Sequence, residues 1–167
     1  MSRARSITIL AAAITAAGAL AASGAAADSR HQQTNRAVGF VLTTENVNNY
    51  CLEIRAANTG DGAAVHMSDC IGTNNQRWRF VGQALVSDLN GKCLDVQDGN
   101  IYNGAGINMW TCHGGAPQQW SWNGKQLRNP RSNRCLTIVE SNPHKGAALI
   151  IRDCDNTLPP HQQWRTA

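Results

Sequence analysis

Apolar residues take every second position in three short segments, which is the spacing of a half-buried β-strand. Glycine, asparagine and proline interrupt the chain between these segments, and such residues favour turns over helices. The alternating positions are Val65/Met67, Ile107/Met109 and Leu149/Ile151. The pattern predicts an all-β protein built from short strands.

The longest apolar run lies at the N-terminus and is of a different kind. A basic start at Arg3 precedes it, it runs from about Ile7 to Ala22, and small residues follow as far as Ala27. This order, with an A-x-A cleavage pattern at its end, predicts a secretory signal peptide over residues 1–27, with an uncleaved membrane anchor as the alternative. No later stretch approaches the length of a membrane span. We therefore expect a secreted, extracellular chain without a membrane span after cleavage.

Six cysteines follow a strict spacing. Two members of a pair are always 19 residues apart, and successive pairs are displaced by 42 residues. In an oxidising compartment an even number of cysteines implies disulfides, although many pairings are formally open. A repeat in which each copy pairs its own cysteines selects Cys51–Cys70, Cys93–Cys112 and Cys135–Cys154.

Other residues recur with this step, except that the last Gln-x-Trp segment falls two residues late because of an insertion within residues 155–161. Each copy has a Cys-Leu-x-(Ile/Val) segment, a glycine and a Gln-x-Trp segment, which divides the chain into a first unit (37–78), a middle unit (79–120) and a third unit (121–164). A polar leader, 28–36, precedes them. A propeller needs at least about four blades, so three β-rich units instead predict a closed threefold barrel, a β-trefoil, over 37–167. The recurring glycines are Gly62, Gly104 and Gly146.

The middle unit carries a set of residues suited to binding sugars. Strand alternation places Asp95 beside Cys93 on one face, and Asn108 beside Trp110 on one face of the next strand. The Cys93–Cys112 bridge then brings the two faces together. An aromatic ring packs on the C–H face of a sugar, a carboxylate accepts from its hydroxyls, and an amide sets its orientation.

The composite pattern C-L-D-h…G…W-x-C…Q-x-W is complete in the middle unit and recurs with substitutions in the other two. It resembles that of the ricin B-type lectins, a family of β-trefoil carbohydrate-binding modules. The resemblance covers essentially all of the chain after residue 36. It implies that the tryptophans of the Gln-x-Trp segments belong to a shared core: Trp78, Trp120 and Trp164. Trp122 has no counterpart in the other units, and we expect it to cover the core, with an extension of the sugar groove as the alternative.

The same resemblance assigns a sugar-binding role to residues of the middle unit. One departure is Pro117, where the family usually has asparagine, which predicts the loss of one hydrogen bond. The implied roles are a carboxylate at Asp95, a backbone contact at Asp98, a strand amide at Asn108, a stacking ring at Trp110 and a second amide at Gln118. We also expect the glutamines of the Gln-x-Trp segments to hydrogen-bond the backbone and hold each unit, with a contact to the sugar as the alternative: Gln76, Gln118 and Gln162.

The other two units lack parts of this set. In the first unit Ser68 stands where the stacking ring belongs, so we expect at most a weak second site formed by Glu53, His66, Asn75 and Gln76. In the third unit Thr137, Ile150 and Arg152 replace the carboxylate, the amide and the aromatic ring. That unit is predicted to be inactive as a sugar site of the family type.

Composition and motifs argue against other functions. The formal net charge of +4 is too small to predict a nucleic-acid partner. The five histidines lack zinc-type spacing and no G-x-S-x-G or H-E-x-x-H segment occurs, so we expect no metal, no cofactor and no catalysis. The sequence thus predicts a lectin for galactose-like or xylan-type sugars with glycans as partners. The alternatives are a protein-interaction trefoil (a toxin docking subunit or a protease inhibitor) with a vestigial sugar site, and a small hydrolase.

Overall fold

The computed structural model describes residues 39–44, 50–141 and 144–167. The chain divides into two units, Met1–Arg36 and Ala37–Ala167, and every described residue belongs to the second. The signal peptide (1–27) and the leader (28–36) lie outside the described residues, and both stay predictions.

Twelve short strands form in the described part of the chain, four for each repeat. They are β1 (Phe40–Thr44), β2 (Tyr50–Ile54), β3 (Ala63–Asp69), β4 (Arg77–Val81), β5 (Ala84–Ser87), β6 (Cys93–Val96), β7 (Ile107–Trp110), β8 (Ser121–Asn123), β9 (Gln126–Asn129), β10 (Arg134–Ile138), β11 (Leu149–Asp153) and β12 (Trp164–Thr166).

The helical segments within the described ranges are six three-residue 3₁₀ turns, two per repeat. They are Arg55–Ala57, Asn74–Gln76, Gln97–Gly99, Ala116–Gln118, Val139–Ser141 and Pro160–Gln162. In the ranges that the structure describes, no helix has the length and apolar character needed to span a membrane.

All strand pairs are antiparallel, and strands that follow one another in the chain are usually neighbours. One sheet has the order β12-β1-β2-β3-β7-β6-β5-β4, and β1 also pairs with β4, so this sheet closes on itself. The other sheet has the order β11-β10-β9-β8. Closure removes the exposed strand edges that an open sheet would leave. The predicted all-β trefoil is confirmed.

The repeated tryptophans form the centre of the hydrophobic core, as predicted. Their exposed fractions are 0 to 2%, whereas Trp122 in β8 is 39% exposed and does not belong to the buried core. Each buried indole N–H donates to the carbonyl oxygen of the leucine after the first cysteine of its own unit. The pairs are Trp78 to Leu52 (3.1 Å), Trp120 to Leu94 (3.0 Å) and Trp164 to Leu136 (2.9 Å).

The repeated glycines join one unit to the next. Gly62, Gly104 and Gly146 have φ of +79°, +90° and +90°, which a side chain with a Cβ rarely adopts. Each donates its N–H to a carbonyl of a core strand in another unit, at distances of 2.7 to 2.9 Å. The acceptors are Met109, Ile151 and Met67, respectively. The glycine recurrence therefore encodes the contacts between units that close the trefoil.

The three disulfides have the predicted pairing, Cys51–Cys70, Cys93–Cys112 and Cys135–Cys154, each with a Cα–Cα distance of 5.1 Å. No cysteine is free. Each bridge ties the second strand of a unit to the loop that follows its third strand, and in the middle unit this loop borders the candidate site.

Candidate functional site

Strand pairing in the middle unit brings the predicted polar residues together. Asp95 of β6 lies directly opposite Asn108 of β7, and Cys93 lies opposite Trp110. Residues paired in this way point to the same side of a sheet, with Cβ atoms roughly 4.5–5.5 Å apart. Ile107 and Met109 point into the core, as the alternation predicts.

These residues line a shallow cavity of about 200 Å³, which we call the middle groove. It contains four of the five side chains predicted for the site, and Gln118 is not among them. The lining consists of Asp95, Asp98, Gly99, Asn108, Trp110, His113 and Pro117.

Asp95 is the carboxylate at the base of the groove and is only 6% exposed. Burial raises the pKa of Asp95, because the charged form loses solvation, and the nearby Asp98 carboxylate raises it slightly. The Gln118 side chain and His113, whose Nε2 lies 3.5 Å from Oδ2 of Asp95, act in the opposite direction. A buried carboxylate of this kind is a strong acceptor for hydroxyl groups when it is ionised.

Asn108 has an unpaired acceptor at the groove. The residue is 9% exposed, and its Oδ1 is buried without a hydrogen-bond partner in the described structure. Leaving a buried polar atom unpaired costs about 1–3 kcal/mol, and such atoms are uncommon in folded proteins. Because Asn108 also lines the groove, its amide is a candidate partner for a bound hydroxyl group.

Trp110 supplies the aromatic surface of the groove. It is 44% exposed, unlike the three core tryptophans. Its ring passes close to Gly62 on the hairpin of the first unit, where an added Cβ would lie 4.0 Å from Cζ3. The neighbouring unit therefore supports one side of the ring and leaves the rest open.

Asp98 lies at the rim, in the turn that follows β6. It is exposed and has a φ of +56°, and Gly99 follows with a φ of +61°. A left-handed backbone costs a non-glycine residue roughly 1–2 kcal/mol. A Cβ on Gly99 would lie 3.3 Å from Cγ of Pro117, so this turn packs closely against the opposite wall.

Gln118 has a different role from the predicted sugar contact. It is fully buried, its Oε1 accepts from the His113 backbone N–H (2.8 Å), and its Nε2 donates to the Thr111 carbonyl (3.0 Å). Its side chain also lies beside the Asp95 carboxylate. Gln118 therefore positions Asp95 and the adjoining loop and does not itself line the groove.

The position of His113 next to Cys112 predicts a solvated loop residue, with a ligand contact as the alternative, and the structure places it in the lining of the groove. Its imidazole reaches the groove because the Cys93–Cys112 bridge and Gln118 hold the loop on either side of it. Nothing in the repeat pattern marks the residue, since the other two units have Ile71 and Asp155 directly after the second cysteine.

Pro117 affects the groove through the backbone. In the first unit the equivalent Asn75 donates its side-chain amide to the Ile54 carbonyl at 3.3 Å. Proline has no such amide, so this link across the groove is missing in the middle unit.

The predicted weak site of the first unit is occupied by its own side chains. Glu53 Oε1 lies 3.2 Å from Nε2 of His66, and Oε2 accepts from Nε2 of Gln76 at 2.6 Å. Ser68, in the position of Trp110, is 8% exposed and offers no stacking surface. Each Glu53 oxygen therefore already has a partner within the first unit.

The third unit has no carboxylate at the base position. Thr137 is 1% exposed, its hydroxyl donates to the Cys135 carbonyl (2.8 Å) and it accepts from Gln162 (3.1 Å). Ile150 lies opposite Thr137, and Arg152 opposite Cys135. This unit thus differs from the middle one at all three key positions.

A metal site is not apparent from these residues. Across the described residues, no group of three or more histidine, cysteine, aspartate or glutamate side chains is placed to hold a metal ion.

Comparison with known proteins is consistent with this geometry. The profile of the ricin-type beta-trefoil lectin domain matches residues 40–164. No curated protein sequence is similar enough to count as a match.

Solved structures with the same fold include three in which the match covers nearly the whole of the other chain. A designed threefold-symmetric protein, ThreeFoil, has a TM-score of 0.69 and 27% identity over 77% of this chain and 96% of its own. The C-half of an earthworm R-type lectin, solved with GalNAc, has a TM-score of 0.64 and 18% identity over 77% of this chain and 97% of its own. The β-trefoil lectin of the Vibrio vulnificus hemolysin/cytolysin, solved with N-acetyl-D-lactosamine, has a TM-score of 0.63 and 20% identity over 78% of this chain and 95% of its own.

Proposed function

Since the chain belongs to the ricin-type beta-trefoil lectin domain family, a family of carbohydrate-binding modules, we propose that it is a secreted, non-catalytic lectin whose main sugar site is the middle groove. The proposed ligands are galactose-like sugars or xylan-type plant polysaccharide. The earthworm and Vibrio vulnificus proteins, solved with GalNAc and N-acetyl-D-lactosamine, support the galactose-like class.

The observation that carries this proposal is the convergence of three complementary groups on one small groove. Trp110 offers an open ring, Asp95 a buried carboxylate, and Asn108 an acceptor without a donor. A pyranose has the corresponding groups: a C–H face, neighbouring hydroxyls and a hydroxyl donor. In the first unit the carboxylate oxygens are already paired, which favours the middle unit as the main site.

The geometry also supports a binding role over a hydrolytic one. Glycosidases place two carboxyl groups on opposite sides of the scissile bond. Asp98 is on the turn that directly follows the strand carrying Asp95, so both carboxylates approach a bound sugar from neighbouring positions. Such a pair is better suited to holding hydroxyls than to acid–base catalysis.

A glycan array together with a polysaccharide pull-down tests the proposal, with Trp110→Ala as the key variant. An anchoring tryptophan contributes about 2 kcal/mol or more to an interface, so we expect affinity to fall roughly 30-fold. Trp122→Ala is the matched control, because Trp122 is 39% exposed against 44% for Trp110 but does not line the middle groove.

Loss of binding in Trp110→Ala, with an unchanged thermal midpoint and normal binding by Trp122→Ala, is the expected result. Equal binding by both variants would place the sugar elsewhere. Absence of all glycan and polysaccharide binding by the parent protein would favour the protein-interaction alternative, and turnover of a bound polysaccharide would favour the hydrolase.

A further inference from the structure

The third unit lacks the features of a neutral-sugar site, but it has a larger surface depression than the middle unit. Two adjoining cavities, of about 690 Å³ and 350 Å³, share Asp153, Cys154 and Asn156 in their linings. Arg152 and His161 line the larger cavity, and Arg128 lines the smaller one, together with residues such as Asn123 and Asn133. We call the two cavities together the third-unit trough.

The two arginines belong to one row across the sheet. Cys135 of β10 is paired with Arg128 of β9 on one side and with Arg152 of β11 on the other. Paired residues point to the same side of a sheet, and neighbouring strands lie about 4.8 Å apart, so the two arginine Cα atoms are roughly 10 Å apart. The equivalent row of the middle unit is Val86, Cys93 and Trp110.

Both guanidinium groups lack a protein partner. Within the described ranges, neither Arg128 nor Arg152 forms a side-chain hydrogen bond or an ion pair. By contrast, Arg134, in the same region, is bound to the Ile101 carbonyl, to Asn103 and to Asp153. Arginine is well suited to bidentate recognition of planar anionic groups such as carboxylates.

The acidic residues of the trough are already engaged. Asp153 accepts from Asn103 at 2.7 Å and lies 3.3 Å from Nε of Arg134. Asp155 accepts from both the backbone N–H and the hydroxyl of Thr157, at 2.8 and 2.7 Å. Within the described residues, Asp153 is therefore paired with a cation, whereas Asp155 has only neutral hydrogen-bond donors and stays charged. The trough thus has two arginines without an ionic partner against one such carboxylate.

His161 adds an uncharged polar group to the third-unit trough. Burial lowers the pKa of His161, and the positive charge of Arg152 lowers it further, whereas Asp155 acts in the opposite direction. The imidazole is therefore neutral at neutral pH and has one nitrogen to donate and one to accept.

The balance of charges without an ionic partner is thus positive in the third-unit trough and negative in the middle groove. The middle groove has two carboxylates, Asp95 and Asp98, and neither lysine nor arginine among its lining residues. In the third unit, Thr137 replaces the carboxylate of Asp95 and Arg152 replaces the ring of Trp110. An anionic sugar would be repelled from the middle groove and attracted to the third-unit trough.

We propose that the third-unit trough is a second binding site, specific for acidic saccharides that carry carboxylate or sulfate groups, with Arg152 and Arg128 as the anion-binding residues. Two cations in one row fit a chain with acidic groups on more than one residue. This site goes beyond the neutral-sugar function proposed for the middle groove and does not depend on it.

The test uses the full protein and an oligogalacturonide, with the fully methyl-esterified oligomer as the uncharged ligand of the same backbone. A sulfated galactan oligosaccharide forms a second arm and distinguishes sulfate from carboxylate recognition. Affinities are measured by isothermal titration calorimetry at low and moderate salt. Arg152→Gln and Arg128→Gln are the test variants, and Arg165→Gln, an exposed arginine on β12, is the matched control.

We expect binding of at least one anionic ligand, no binding of the methyl ester, and a loss of at least about tenfold in Arg152→Gln, since a charge-assisted bond is removed. Arg128→Gln should weaken binding as well, whereas Arg165→Gln and Trp110→Ala should not. Equal affinity for the acid and its ester, or unchanged affinity in both arginine variants, would overturn the proposal. If Trp110→Ala loses binding of the acidic ligand, the acidic ligand binds in the middle groove and the proposal is wrong. If the parent protein binds the acidic ligand but no neutral sugar, only the function proposed for the middle groove is contradicted.

Discussion

Asp95→Asn is the most informative single substitution in the middle groove. Asparagine has nearly the same shape and retains one acceptor, but it removes the charge and replaces one oxygen with a donor. Hydrogen bonds to a charged group contribute about 1.5–3 kcal/mol each. Loss of one such bond to a sugar hydroxyl predicts a 10- to 150-fold weaker affinity, at about 1.4 kcal/mol per factor of ten.

The same substitution has the opposite effect on stability. Burial raises the pKa of Asp95, so the folded state holds this proton more tightly than the unfolded chain does. The stability linked to the group is present below its unfolded pKa and is lost as the pH rises through the folded pKa. At neutral pH the ionised carboxylate therefore lowers the free energy of unfolding, and Asp95→Asn should leave the thermal midpoint unchanged or raise it.

The assay combines calorimetric titration with the tightest ligand from the glycan screen and thermal unfolding at pH 7. Asp69→Asn is the control, because Asp69 is an exposed carboxylate that pairs with Lys145 and does not line the groove. Lower affinity with an unchanged or higher midpoint is expected only for Asp95→Asn. Unchanged affinity would refute the role of the carboxylate as acceptor, and a lower midpoint would make Asp95 a structural residue.

Three further predictions concern pH, the glycine turns and the N-terminus. Sugar binding should weaken on acidification as Asp95 protonates, and the loss should begin at a higher pH than for an ordinary aspartate because the pKa of Asp95 is raised. In a titration series of affinity against pH, Asp95→Asn should abolish this dependence. The same pH profile in both proteins would contradict the assignment. Gly104→Ala should cost about 1–2 kcal/mol and lower the thermal midpoint by several degrees, because φ is +90° there while no atom lies within 4 Å of the new Cβ; an unchanged midpoint would show that the backbone accommodates alanine. Intact-mass analysis of protein from the culture medium should give a chain beginning at Asp28, and retention of residues 1–27 would support the membrane-anchor alternative.

The sequence predicted the fold because residues with the same structural role recur in each of the three units. The cysteines and glycines recur in three copies at a step of 42 residues, the tryptophans recur at steps of 42 and 44 residues, and each recurring residue has the same structural role in every unit. The cysteines pair within a unit, the glycines donate to another unit, and the tryptophans fill the core. Strand alternation together with the Cys93–Cys112 bridge was also sufficient to place Asp95 beside Asn108, which the pairing of β6 with β7 confirms.

The orientation of groups carried by loops was beyond this pattern. Gln118 points into the protein and holds Asp95, and His113 reaches the carboxylate, because a disulfide and two hydrogen bonds fold their loop in one way. In the first unit the same local pattern produces a Glu53 whose two oxygens are already paired. Whether a polar group is free or occupied depends on neighbours from other turns, and a repeat alone does not specify them.

The sequence by itself determined a threefold β-trefoil, its disulfides and the residues that meet in the middle unit, because backbone register follows from spacing along the chain. Only the tertiary structure decided which side chains remain without protein partners among the described residues, and these include the Asn108 oxygen in the middle unit and Arg128 and Arg152 in the third-unit trough. The physical reason is that hydrogen bonds and ion pairs are made between side chains from separate strands and loops. Their availability for a ligand is therefore a property of the packed protein.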